Sequence, residues 1–352
     1  MSRTMSDITI TPEAAGFSPA LERKLDAGIE SGLLRHVHCV AVARYGRIVV
    51  ERYLTAHDHK ILADLGVVAF GPETLHDARS VTKSIVSLLY GIALDRGLVP
   101  PPEAPLLAQF PDYADLAADP ERRRLTIEHA LTMTLGMEWD ESKPYTSTEN
   151  SEIAMEFADD RYRFVLDRPI VTPPGEKWIY SGGAVALIGE IIHRGTGKTI
   201  AEFAEESLFA PLGIRQSEWF AGKDGVYSAA AGLRLGTRDL LRIAAMLIDR
   251  GAFEGKRIVS EAWLDASWQP RTKLPDGDRY GYLWYLGSAN LPALGKAFPT
   301  ISGYGNGGQR FLLVPDVKLC GVIFGGDYDL PDSWVGPNRL WHEIILKNLE
   351  RA

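Results

Sequence analysis

Ser80 and Lys83 lie three residues apart in the stretch LHDARSVTKSIVSLLYGIALDRGLVP (75–100), and a hydroxyl beside an amine invites covalent chemistry. Positions i and i+3 share one face of a helix. The stretch reads as a buried helix from near Arg79 to Gly97, with Val81, Ile85, Val86, Leu88, Leu89, Ile92 and Leu94 covering most of its surface. Ser80, Lys83, Ser84 and Ser87 leave only a narrow polar stripe. Ser80 falls in the first turn, where unpaired N–H groups and the positive dipole end favour developing negative charge. Apolar surroundings disfavour an ammonium at Lys83, leaving an amine able to take the Ser80 proton and make Ser80 the nucleophile of an acyl-enzyme. Spacing alone does not decide this, because serine also caps helices and lysine also snorkels to solvent.

The elements that must hold such a pair follow from the chain in order. Ser18-Pro19 starts a helix that Ser31-Gly32 ends, and HCVAVARYGRIVVERYL reads as two strands, 38–44 and 47–53. Residues 55–74, rich in His, Asp and Gly, read as loop. From Pro100 to about residue 270 the pattern is mostly helical, with caps at Thr126, Thr199, Thr237 and Ser260 and a helix over about 182–193. Strand patterns return at 281–287, 309–315 and 318–326, and a helix over about 335–349 closes the chain. Strands at both ends imply one antiparallel sheet flanked by terminal helices. The fold class is therefore α+β, with residues 1–95 and 276–352 forming the sheet domain and 96–275 an inserted helical domain.

Composition sets outer bounds. A net charge of −8 argues against a nucleic-acid partner, which needs clustered Lys and Arg. No apolar run reaches membrane-spanning length and the N-terminus lacks a signal-peptide core, so no membrane is expected and the location is read as cytoplasmic. Cys39 and Cys320 fall in strand-like runs as two buried free thiols. His36 with His38, and His57 with His59, alternate like a strand metal pair, but no third ligand is evident; they read as solvated, with no metal and no cofactor expected. Oligomeric state is open.

Three ordered segments carry the case further: Ser80-Val81-Thr82-Lys83, then PGEKWIYSG from Pro174 to Gly182, then GYGNGGQ from Gly303 to Gln309. Together with HALTMTLG (129–136) and AGLRL (231–235), they resemble the serine β-lactamase and penicillin-binding-protein superfamily over nearly the whole chain. The nearest likeness is to the class C branch, with its family VIII carboxylesterases and nylon-oligomer (6-aminohexanoate-dimer) hydrolases. The resemblance implies a β-lactamase/transpeptidase-like fold, Ser80 as nucleophile, Lys83 as its proton partner, and Tyr180 as a phenol that shares the base work and protonates the leaving group. Such a phenol needs its pKa drawn down, which an adjacent Lys83 ammonium would do. It also implies an oxyanion hole from the Ser80 N–H and the N–H of Gln309, with Gly308 as the alternative, on an edge strand.

Two departures bear on substrate. Gly182 stands where the β-lactamase branch has an asparagine, and Asn306 occupies the approximate place of the lysine in Lys-Thr-Gly. Penicillin hydrolysis is then expected to be weak, and a small ester or linear amide fits better. Arg310 is a candidate for the lost positive charge, Tyr145 for a residue closing over substrate, Trp139 and Trp178 for the acyl pocket, and Gly307 and Gly308 for substrate-facing backbone. The alternatives are a β-lactamase or D-Ala-D-Ala carboxypeptidase, an acyltransferase, or a non-catalytic module of the same fold. The Gly-x-Gly-x-x-Gly at 303–308 is no dinucleotide site, since a strand pattern follows it where a helix is required.

Overall fold

The computed structural model describes residues 8–351. Eight antiparallel strands form one sheet in the order Thr272–Lys273, Arg279–Tyr280, Tyr285–Leu291, Lys296–Gly305, Gln309–Val314, Leu319–Gly325, Val37–Arg44, Arg47–Tyr53. Val37–Arg44 and Leu319–Gly325 are buried along their whole length, as apolar runs covered on both faces must be. Their pairing joins the two ends of the chain in the middle of the sheet.

One face of the sheet is covered by the helix Leu21–Glu30 and the C-terminal helical turns from Val335 to Asn348, with Phe17, Leu25, Leu340, Trp341 and Ile345 in the contact. The other face carries a larger core built around the helices Val81–Asp95 and Thr237–Ile248. The helix Val81–Asp95 is buried on every side through Ala93, which its apolar sequence foretold. Cys39 and Cys320 are buried free thiols, and burial pushes both up to about 12. Among the described residues, no helix is long and apolar enough to cross a membrane.

Two expectations need correction. Residues 55–69 form a β-hairpin, Thr55–Lys60 paired with Ala63–Ala69, rather than a loop. Its pairing partner lies within the same polar segment, so no apolar alternation announced it. The glycine segment begins within the interior strand Lys296–Gly305, yet the ladder to its outer neighbour ends at the pair Tyr285–Ser302. Gly303, Tyr304 and Gly305 therefore pair on one side only, and that edge is open.

Candidate active site

Ser80 occupies the N-cap of Val81–Asp95, immediately after Arg79, whose φ of +48° makes the sharp entry to the helix. Two phrases flagged by resemblance hold that turn. The strand Leu233–Leu235 pairs with His76–Asp77, the Leu233 carbonyl accepts from the Ala78 N–H at 2.9 Å, and the Leu233 N–H donates to Thr82 Oγ1 at 3.2 Å. The segment 129–136 supplies the Met133 carbonyl to the Ile179 N–H at 2.9 Å, which fixes the approach to Tyr180. Ser181 then caps the helix Gly182–Thr196 by accepting from the Ala184 N–H.

These supports bring Ser80, Lys83 and Tyr180 together. Lys83 Nζ lies 3.1 Å from Ser80 Oγ, 3.0 Å from the Ala230 carbonyl and 3.5 Å from Glu152 Oε2. Only 2 % of Lys83 is exposed, whereas Ser80 keeps 8 %. The Tyr180 phenol lies near Ser80, which opposes part of the shift that burial imposes on it. That phenol is pushed well above its ordinary value, first by burial and then by the charge of Glu141. Lys83 is not among the groups that lower it, and its Nζ sits over the Tyr180 ring, 4.8 Å from the centroid. Tyr180 is accordingly a neutral phenol able to give a proton.

Two carboxylates missed in the sequence complete the cluster. A Cβ at Gly182 would fall 2.0 Å from Glu152 Oε2, so Glu152 fills the space that a side chain at 182 would take. Burial, with the like charges of Glu141 and Glu156, raises the Glu152 carboxyl to about 8 against the opposing pull of Lys83. Glu141 accepts from Trp139 Nε1 at 2.6 Å, from the Gly182 N–H at 2.5 Å and from Tyr145 Oη at 2.8 Å. A carboxylate on the first N–H of a helix is well placed against the dipole. The only sequence signal for this pair was the glycine at 182, which leaves room for a group from elsewhere.

The remaining candidates divide. Trp139 is buried against Gly183 and anchors Glu141. Trp178 lies beside Tyr180, ring centroids 5.8 Å apart, and its buried indole N–H has no partner among the described residues. Tyr145 is tied to Glu141, and its N–H reaches Asp329 Oδ1 at 3.4 Å, where Asn306 Nδ2 also donates at 2.7 Å. Asn306 is thus spent on Asp329.

Gln309 pairs with Gly305, and its side chain is committed within the sheet. The three-residue loop Asn306–Gly308 folds Gln309 onto the next strand opposite Gly305, and its fully buried side chain bonds the Asn306 carbonyl and both backbone groups of Gly325. Gly307 and Gly308 face Tyr328 and Pro337. The backbone against the turn is the open edge, where a Cβ on Gly303 would lie 2.9 Å from Ser84 Oγ and one on Gly305 2.7 Å from the Ala78 carbonyl. Arg310 is buried rather than free to meet substrate: its guanidinium stacks on Tyr304 at 5.0 Å and bonds the Gln309 carbonyl.

The histidines also depart from expectation. His38 is buried, with His76 Nε2 3.0 Å from its Nδ1, and Asp58 lies beside both. Burial pushes His38 down to about 4 and His76 to about 3, so both rings are neutral. His57 and His59 are grouped with Asp64 on the outer face of the hairpin.

Comparison with known proteins agrees with this geometry. Residues 22–333 match the family model described as Beta-lactamase. The chain is 23 % identical over 327 residues to 6-aminohexanoate-dimer hydrolase of Paenarthrobacter ureafaciens, covering 86 % of this chain and 78 % of that protein. It is 28 % identical over 222 residues to esterase EstB of Burkholderia gladioli, covering 60 % of this chain and 55 % of that protein. In fold it resembles EstCE1, described as a hydrolase with promiscuous acyltransferase activity, with a TM-score of 0.71, 14 % identity, and coverage of 94 % of this chain and 99 % of that one. The chain is a hydrolase of β-lactamase/transpeptidase fold and belongs to the β-lactamase family.

Proposed function

We propose that this hydrolase cleaves a small ester or linear amide through an acyl-enzyme on Ser80. The observation that carries the proposal is the 3.1 Å approach of Lys83 Nζ to Ser80 Oγ, with the Tyr180 ring beside the same amine. Lys83, hydrogen-bonded to Ser80 Oγ, is the group placed to accept the proton of Ser80 as Oγ attacks the carbonyl. Tyr180, a neutral phenol, gives its proton to the departing alcohol or amine and recovers one from Lys83. Water then attacks the acyl carbonyl by the reverse path. The Ser80 N–H and an amide of the open edge Gly303–Gly305 take the place of the oxyanion hole. The unpartnered indole N–H of Trp178 is the donor best placed for the substrate beside Tyr180.

The similarity to 6-aminohexanoate-dimer hydrolase and esterase EstB supports a linear amide or ester over a β-lactam, as does the commitment of Asn306 to Asp329. Intact-mass spectrometry after exposure to p-nitrophenyl butyrate tests the reading. Wild type is expected to carry one butyryl group, and Ser80→Ala to carry none and lose turnover by at least about a thousandfold. Full turnover in folded Ser80→Ala would end the proposal.

A further inference from the structure

We propose that His38, Asp58 and His76 form a buried site for one zinc-like divalent metal ion, set behind the turn that carries Ser80. His38 Nδ1 and His76 Nε2 are 3.0 Å apart, and Asp58 Oδ1 is 3.6 Å from each. Tetrahedral ligands at about 2.0 Å from zinc stand about 3.3 Å from one another, so the three atoms already have the edge lengths of half a coordination shell. Tyr328 Oη donates to the same Asp58 oxygen at 3.1 Å and so helps orient that carboxylate.

The supporting chemistry points the same way. His76 Nδ1 faces the Asp77 carbonyl at 3.1 Å and must donate to it, which turns the Nε2 lone pair toward the site. A carbonyl on the far nitrogen is the usual orienting contact of a metal-bound histidine. Without a cation the cluster is poorly balanced. Asp58 is buried, its Oδ2 has no partner, and its ion-pair neighbours among the described residues are only the two imidazoles, with no lysine or arginine among them.

The backbone is arranged for it as well. The register of Val37–Arg44 slips between Val37 and Cys39, and that of the hairpin slips between Asp58 and His59. Bulges of this kind re-aim a side chain, here turning His38 and Asp58 inward. The ion would fasten the first strand, the hairpin and the segment four residues ahead of Ser80. Its role is structural, since none of its ligands contacts Ser80, Lys83 or Tyr180.

Full-length protein purified without chelator should contain about one zinc per chain by plasma mass spectrometry, and cobalt replacement should give the intense visible bands of a tetrahedral N/O site. Asp58→Asn keeps the shape and removes the charge, and should lower metal content about tenfold or more while circular dichroism stays native. His76→Gln should do the same. The exposed His57, His59 and Asp64 are the rival holders, so His57→Ala/His59→Ala should keep the ion. The proposal is overturned if wild type binds neither zinc nor cobalt, if Asp58→Asn and His76→Gln both retain the ion, or if the His57/His59 variant loses it.

Discussion

Glu152 shows how one side chain can fill the space that a glycine leaves at another position. The family pattern places an asparagine at 182, and here the space is filled from the helix Ser151–Glu156 by a carboxyl that reaches Lys83. Its titration has a testable sign. The ordinary glutamate value is 4.5 and the folded value about 8, so between these the folded protein holds a proton that the unfolded chain has released. Stability should fall as pH rises through that window, and Glu152→Gln should flatten the slope in urea denaturation measured from pH 4.5 to 8. An unchanged slope would show that the carboxyl titrates normally. Gly182→Asn tests the shared space. Alone it drives an atom onto the carboxylate and should cost about 1–3 kcal/mol, while Glu152→Ala/Gly182→Asn should recover most of that loss. Additive losses in the double variant would mean that the two positions do not compete.

At the scale of elements, the nucleophile helix and the two long strands at 37–53 were legible because their apolar patterns are local. The glycine edge beside the nucleophile turn was not. Gly303, Gly305, Gly307 and Gly308 are alike in sequence, and only the hairpin register decides which of them meets Ala78 and Arg79. Ser80 and Lys83 stood out by their spacing and Tyr180 only through the family resemblance, whereas Glu141 and Glu152 come from a polar segment whose fold depends on what it packs against. The hairpin 55–69 escaped for the same reason. Gly305→Ala addresses the edge directly: its Cβ would press on the Ala78 carbonyl at 2.7 Å and on Arg79 Cβ at 3.0 Å, and must move the strand from the turn. Turnover of p-nitrophenyl butyrate should drop about tenfold or more with little change in KM, the mark of a contact used in the transition state. A wild-type rate would remove that edge from the reaction.

Across the whole molecule, the site depends on strands drawn from both ends of the chain, and a buried arginine ties those ends together. Arg44, at the end of the first strand, donates from Nη1 to the carbonyls of Ala15 and Arg351 at 2.7 Å and from Nε to that of Val317 at 2.9 Å. Gly16 makes room for it, since a Cβ there would meet Arg44 Nη1 at 2.6 Å, and the Gly16 carbonyl in turn accepts from the N–H groups of Glu350 and Arg351. The apolar runs implied that the end strands share a sheet, but an arginine in a strand pattern gives no sign that it is fully buried. Arg44→Leu strands at least two carbonyls in the interior, and each buried acceptor left unpaired costs about 1–3 kcal/mol. Denaturation should therefore show a loss of about 3 kcal/mol or more, while the variant that remains folded keeps the Ser80–Lys83 geometry and its acylation rate. A fall in acylation without a fall in stability would instead place Arg44 in communication with the active site.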